Sequence, residues 1–330
     1  MHNSMQFTLN QLKQGVSSDL SLQLGLIRVS GEDARSFLHA QLTQNVSNLT
    51  EDITKLAGYC SAKGRLYAIF QMYCEGDDVF LITQRELIVQ VVKRLRMFVL
   101  RAKVNLDDVS EQYHMYGFAG DGCLAAGVAE RDNNTTRLGI LPAMVEGSEL
   151  SRELMIVPAD KGAIDVASLS RQEFITISEM AWRWLAVMAG EPSIQVSTVE
   201  AFVPQMVNLD RIGGVNFKKG CYPGQEVVAR SHYLGKLKRR MIAVRWGFER
   251  DALAQAALER FNVNADVYSR LDETQPAGVV VSAAQNVLQT NVIDALLEVS
   301  LAMLDGDACL SVQGMDVDGK RFDLPYALVD

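Results

Sequence analysis

Cysteine is scarce in this chain. Five occur among 330 residues: Cys60, Cys74, Cys123, Cys221 and Cys309. Their number is odd, their spacing is wide, and no C-x-x-C is present. That pattern argues against a disulfide framework and against a cysteine-based zinc site. Histidine is scarcer still. His2, His39, His114 and His232 make no H-x-x-x-H pair, so no metal site is expected. No apolar run approaches the ~18–20 residues of a membrane-spanning helix. Met1-His2-Asn3-Ser4-Met5-Gln6 lacks the basic start and apolar core of a signal peptide. The expected location is therefore the cytoplasm, with no membrane partner. Nucleotide motifs are missing too. No G-x-G-x-x-G follows a strand-like run and no G-x-x-x-x-G-K-[ST] occurs, which argues against a Rossmann dehydrogenase or an ATPase.

What is present is an ordinary globular composition, 48% hydrophobic and 22% charged, in a chain long enough for two or three domains. The net charge of −8 is unevenly spread. Arg211, Lys218, Lys219, Arg230, Lys236, Lys238, Arg239 and Arg240 face a single acid, Glu226, between residues 211 and 240. That stretch is +7, which leaves −15 for the remainder. A basic segment in an acidic chain is either an anion-binding surface or a solvated strand face.

Periodicity suggests an α+β fold. Ser30-Gly31-Glu32-Asp33 reads as a helix start, followed by the apolar face Ala34, Phe37, Leu38 and Leu42. Strands are expected over 57–60, 66–73 and 79–83, and a helix over 85–100 that buries Leu87, Val91, Leu95 and Phe98. Weaker strands follow at 104–109, 114–119 and 154–157, with short helices from Gly122 and over 163–169. Residues 131–136 read as a polar surface loop. Ser170-Arg171-Gln172-Glu173 has capping-box spacing ahead of Phe174, Ile177, Ala181, Trp184, Leu185 and Met188, and Gly190 and Pro192 stop that helix. Residues 191–236 have little regular pattern, and long irregular segments are more often functional than idle. After Arg240, short apolar runs between turn-formers suggest a small all-β domain, with a helix inserted at 251–260.

The densest chemistry lies at Lys218-Lys219-Gly220-Cys221-Tyr222-Pro223-Gly224-Gln225-Glu226. Pro223 and Gly224 suit the two central positions of a type II turn, and Gly220 permits a sharp bend. Lys218, Lys219 and His232 could favour a thiolate at Cys221. The alternative is a small buried cysteine. Upstream, Gln205, Asn208 and Asp210 offer amides and a carboxylate that would either pair with a pterin or nucleobase edge or satisfy a loop backbone. Trp184 is most simply core, although an indole also stacks on a flat heterocycle. Trp182 lies about 160° from it around the helix.

Lys219-Gly220-Cys221-Tyr222-Pro223-Gly224-Gln225-Glu226 resembles the K-G-C-Y-x-G-Q-E signature of the folate-binding YgfZ-type proteins, relatives of the glycine cleavage T-protein, an aminomethyltransferase. Phe202-Val203-Pro204-Gln205, Asn208-Leu209, Gly213-Gly214, Phe217-Lys218, Val228-Ala229-Arg230, Ala62-Lys63-Gly64, Gly190-Glu191-Pro192 and Leu324-Pro325-Tyr326 extend the similarity over most of the chain. The resemblance implies a ring of three domains: two interleaved ferredoxin-like α/β domains and a C-terminal β-barrel. The expected segments are 1–50 with 111–236 for folate binding, 51–110, and 237–330. It implies tetrahydrofolate or a derivative as ligand, and support of iron–sulfur enzymes, including one that modifies tRNA, with Cys221 as the required thiol. The expected folate contacts are Trp184, Gln205, Asn208, Lys218, Lys219, Gly220, Tyr222, Gly224, Gln225, Glu226 and Arg230. A second tryptophan, expected in the first strand, is replaced near Leu24. Aminomethyltransferases also carry an acid in the strand after the Gly64 turn. Gly64-Arg65-Leu66-Tyr67-Ala68-Ile69 has none, so methylene transfer is not expected. The competing readings are a folate-dependent one-carbon transferase and a non-catalytic RNA- or protein-binding module.

Overall fold

The computed structural model describes residues 6–132, 135–161, 174–233, 237–270, 272–303, 310–312, 315 and 317–328. The chain opens with α1 (Leu9–Gln14), whose Thr8 and Gln11 form a capping box. β1 (Val16–Asp19) and β2 (Leu24–Ser30) follow and go to different sheets. α2 (Ala34–Gln41) comes next. Its start departs from expectation. Ser30 ends a strand, and the Asp33 carboxylate accepts from the Lys103 amide instead of capping its own helix.

β3 (Lys55–Cys60), β4 (Leu66–Glu75), β5 (Asp78–Gln84) and β6 (Asn105–Asp108) join β2 in an antiparallel sheet of order β3-β4-β5-β2-β6. The strand at 24–30 thus pairs with the 51–110 segment, although it lies within the 1–50 stretch of the expected folate domain. Alternation along β4 positions the site. Leu66, Ala68, Phe70 and Met72 are buried in the core that includes α2 residues Phe37 and Leu38, which sends Ile69 and Gln71 to the opposite face. α3 (Ile88–Arg96) buries Ile88, Val91, Val92 and Leu95. It ends before Phe98, which is 46% exposed rather than buried.

β7 (Tyr113–Ala119), β8 (Ala129–Asp132), β9 (Thr135–Val145), β10 (Ser148–Pro158) and β11 (Ile175–Thr176) join β1 in a second sheet, ordered β11-β1-β7-β10-β9-β8. Residues 120–128, where a helix was expected, turn through Gly120, Gly122 and Gly127, all with positive φ. Of the polar run expected as a surface loop, the described residues are paired strand: Arg131 pairs with Thr136 and Asp132 with Thr135. The expected helix at 163–169 and the Ser170 capping box lie outside the described residues. α4 (Glu179–Met188) is capped by Ser178, whose hydroxyl accepts from the Ala181 amide at 3.2 Å. Phe174 and Ile177 therefore precede this helix, and Ile175 pairs in parallel with Val16.

α5 (Gln225–Tyr233) emerges from the irregular stretch just after the cysteine loop. The last sheet comprises β12 (Arg239–Gly247), β13 (Asp266–Ser269), β14 (Gly278–Gln285), β15 (Val292–Ser300), β16 (Leu310–Val312) and β17 (Lys320–Phe322), with α6 (Asp251–Leu258) inserted. Its order is β16-β13-β14-β15-β12-β17. The sheet curls until the Gly319 amide, next to β17, donates to Leu310 of β16 at 2.8 Å. Asp294 of β15 ties this unit to α4. Its fully buried carboxylate accepts from Trp184 Nε1 at 2.8 Å, Asn286 Nδ2 at 2.8 Å and Arg245 Nε at 2.6 Å.

Candidate functional site

Two places concentrate functional groups, and they are separate. The first is the cysteine loop. Gly224 adopts φ +78° and the Gln225 amide donates to Tyr222 O at 3.1 Å, as the Pro-Gly turn requires. A Cβ on Gly224 would stand 2.4 Å from Gly64 Cα, Gly64 N and Ser61 O, so the Ser61–Gly64 turn rests directly on this loop. The loop is also fixed to the C-terminal end of α2. Lys219 is 8% exposed, and its Nζ donates to His39 O at 2.5 Å and Leu42 O at 2.8 Å. A cation on the last carbonyls of a helix is favourable in charge and satisfies orphan acceptors. Burial pushes Lys219 down to about 8, with Cys221 acting in the opposite direction. Nζ also sits 4.8 Å from the centre of the Tyr222 ring, whose own pKa burial raises.

Cys221 itself is exposed, as are Lys218, Gly220, Glu226 and Arg230. Among the described cysteines, Cys60 and Cys74 are buried and Cys123 is intermediate. Burial pushes the Cys60 and Cys123 thiols up to about 12, so neither offers a ready thiolate. The fold brings His39 rather than His232 toward the loop: His39 Nε2 lies 3.8 Å from where a Gly220 Cβ would stand. Burial and Lys219 both lower the His39 pKa. His232 instead stacks on Phe217, with centroids 3.7 Å apart and planes 10° apart.

The amides upstream serve the protein. Gln205 and Asn208 are fully buried. Gln205 Nε2 donates to Val228 O at 2.7 Å, and Asn208, at φ +58°, donates to Met241 O at 2.7 Å. Asp210 receives Arg240 Nη1 at 2.6 Å and Nη2 at 2.9 Å, and Arg239 pairs with Glu298. Of the basic stretch, Arg239, Arg240 and Lys219 are thereby occupied structurally. Trp184 is 1% exposed with its N–H bound to Asp294, so its ring is core.

The second place is a central cavity of about 170 Å³ between the first two sheets and α4. That is roughly ten times the ~15 Å³ a single buried water occupies on this measure. Leu24, Ile69, Gln71 and Ile82 come from one sheet, Ile140, Arg152 and Leu154 from the other, and Trp182 and Arg183 from α4. Glu191 and Ile194 also line it. Gly117 makes room for the Trp182 ring, which would lie 2.6 Å from a Cβ there. The Arg152 guanidinium sits 4.7 Å from the Trp182 centroid, and its Nη1 donates to Glu191 Oε2 at 2.8 Å. Arg152 is 1% exposed, yet its Nε has no partner among the described residues, and Gln23 Oε1 is buried in the same condition.

None of residues 218–230 lines this cavity, and neither do Trp184, Gln205 or Asn208. The residues that do line it, Trp182, Arg152 and Glu191, were not expected from the sequence. The available signal was the Trp-x-Trp spacing, which cannot put both rings in one environment. Arg152 lies just before the strand expected at 154–157, which the structure extends to Ser148–Pro158, so its burial had no signal in the sequence.

No model of a protein family matches the chain. The tRNA-modifying protein YgfZ of Colwellia psychrerythraea is 30% identical over 259 residues, 77% of this chain and 78% of that protein. The protein of the same name from Aliivibrio fischeri is 29% identical over 306 residues, 92% of this chain and 91% of its own. The crystal structure of the glycine cleavage system aminomethyltransferase T from Bartonella henselae matches with a TM-score of 0.63 over 98% of this chain and 91% of that one. At 13% identity this last likeness shows the fold alone, a T-protein-like α+β arrangement. With that architecture, the cysteine loop and the sequence identity to curated relatives, the chain belongs to the YgfZ family.

Proposed function

We propose that this protein binds tetrahydrofolate or a related folate in the central cavity and supports the assembly or repair of iron–sulfur enzymes, tRNA-modifying ones among them, through Cys221. The observation that carries the folate reading is the cavity's unspent polarity. A flat heterocycle with a donor–acceptor edge suits an indole wall, a carboxylate and a guanidinium that still has a free donor. Trp182 would flank the pterin, Glu191 would accept from its N–H groups, and Arg152 Nε and Gln23 Oε1 would gain the partners they lack. Bound folate would supply a one-carbon or reducing group. The chain's own residues orient the ring and keep water from it.

Cys221 stands apart, exposed on its clamped loop, where a damaged cluster or client protein can reach it. An exposed thiol persists in the reducing cytoplasm, where we place the protein. β4 presents Ile69 and Gln71 to the cavity in place of an acid, so methylene transfer from an aminomethyl-lipoyl carrier lies outside the proposed activity. Cys221→Ala should fold normally and fail to restore iron–sulfur enzyme activity in a strain lacking the native gene. Full complementation would remove Cys221 from the function.

A further inference from the structure

At the far end of α5, the helix that follows the cysteine loop, the surface carries a feature that neither the folate cavity nor the thiol explains. Phe217, His232 and Tyr233 form an aromatic stack at the end of α5. Phe217 and His232 are parallel at 3.7 Å, and Tyr233 meets His232 edge-on at 4.7 Å between centroids. Phe217 is part-buried and anchors the group, whereas His232 is exposed and Tyr233 is 64% exposed. A core has no use for a tyrosine so placed, and the solvated ring leaves π-surface uncovered. Along α5, Glu226, Arg230 and Tyr233 fall at i, i+4 and i+7 and share one face.

Exposed cations accompany α5 and its flanks. Lys218 directly follows Phe217 and is exposed, Arg230 is exposed one turn before Tyr233, and Lys63 is exposed on the turn whose Gly64 abuts Val227 of α5. Glu226 is the one acid in α5. The remainder of the chain outside 211–240 sums to −15, so a polyanion is repelled from most of the molecule and attracted here.

We propose that this face, from Cys221 to Tyr233, binds single-stranded RNA, with bases stacking on Tyr233 and His232 and phosphates contacting Lys218, Arg230 and Lys63. Stacking platforms combined with cations are the usual means of holding unpaired nucleotides. An acidic protein would use the cations but has no need of bare rings. The proposal adds a ligand to the α5 surface and depends on no property of the folate cavity.

The test is fluorescence anisotropy with a labelled oligoadenylate of about 12 nucleotides. The same strand in a duplex and an oligoglutamate serve as competitors. The wild-type protein should bind the single strand more tightly than the duplex. Three phosphate contacts predict a log–log salt slope near −2, or about 20-fold weaker binding between 50 and 200 mM salt. Tyr233→Ala should weaken binding by about 5- to 100-fold, and Tyr233→Phe should restore it. Lys218→Ala and Arg230→Ala should each flatten the slope by about 0.7. Bound RNA should slow alkylation of Cys221 by iodoacetamide, with Cys221→Ser as the control. No binding at 50 mM salt, undiminished binding by a folded Tyr233→Ala variant, or equal competition by duplex would overturn the proposal. So would equal competition by oligoglutamate, which would assign the face to an acidic protein. Folate affinity is measured separately, so failure here and failure of the folate reading give different results.

Discussion

Replacing Gly224 by alanine should cost more than its backbone conformation alone explains. Gly224 has φ +78°, where an L-residue with a Cβ pays about 1–2 kcal/mol. The added methyl would also stand 2.4 Å from Gly64 Cα, Gly64 N and Ser61 O. All three are backbone atoms, so no side chain can rotate away. The Ser61–Gly64 turn must move by about 1 Å, and overpacking of this kind costs roughly 1–3 kcal/mol. The expected total is about 2–5 kcal/mol. Gly213 provides the control. Its φ is +79°, yet a Cβ there meets nothing within 4 Å, so Gly213→Ala carries the conformational cost without the collision. Urea unfolding of both variants, read at unchanged m-value, gives the difference directly. Gly224→Ala should be the less stable by about 1–3 kcal/mol, and its Cys221 should react faster with iodoacetamide as the loop loosens. Equal losses within about 0.5 kcal/mol would refute the idea that the 61–64 turn holds the cysteine loop.

Two further predictions concern buried charge. Burial holds Lys219 at about 8 in the folded protein against 10.5 ordinarily. Between those values the unfolded chain binds more protons, so this residue's contribution to stability rises with pH. The stability of wild type relative to Lys219→Met should therefore grow by about 1–3 kcal/mol from pH 7.5 to 10.5 in urea titrations, and a flat or falling difference would contradict the shift. Asp294→Ala should cost about 3–5 kcal/mol, because it strands the Arg245 charge and the N–H groups of Trp184 and Asn286. Thermal melts showing a loss under 1 kcal/mol would mean Asp294 does not join α4 to the last sheet.

The legible parts of this fold are those governed by local pattern. The strands at 55–60, 66–75 and 78–84 announce themselves through apolar runs and the Gly64 and Gly76 turns. The cysteine loop is equally local, since Pro-Gly fixes its turn whatever surrounds it. Parts decided by tertiary contact were hidden. Arg131, Asp132, Thr135 and Thr136 read as a polar loop until the pairing of β8, β9 and β10 gives them backbone partners. Phe98 fits the helical period but falls past the point where α3 ends. Trp184 satisfies both a core and a ligand reading in sequence, and only the buried Asp294 carboxylate, 110 residues away, decides where its N–H goes. Gln205 and Asn208 were open to either use for the same reason, because their partners at Val228 and Met241 lie across the loop. Arg152 and Glu191 could not be joined to Trp182 without knowing that β10 and the end of α4 face one cavity.

The central claim is that folate occupies the cavity beside Trp182 and Glu191, apart from the thiol. Calorimetric titration of tetrahydrofolate into wild type, Glu191→Gln and Cys221→Ala tests it most directly. Losing a charged acceptor from a buried hydrogen bond should weaken binding about 10- to 100-fold in Glu191→Gln. Cys221→Ala should bind as wild type does. Unchanged affinity in Glu191→Gln together with lost affinity in Cys221→Ala would contradict the account and move the folate to the cysteine loop.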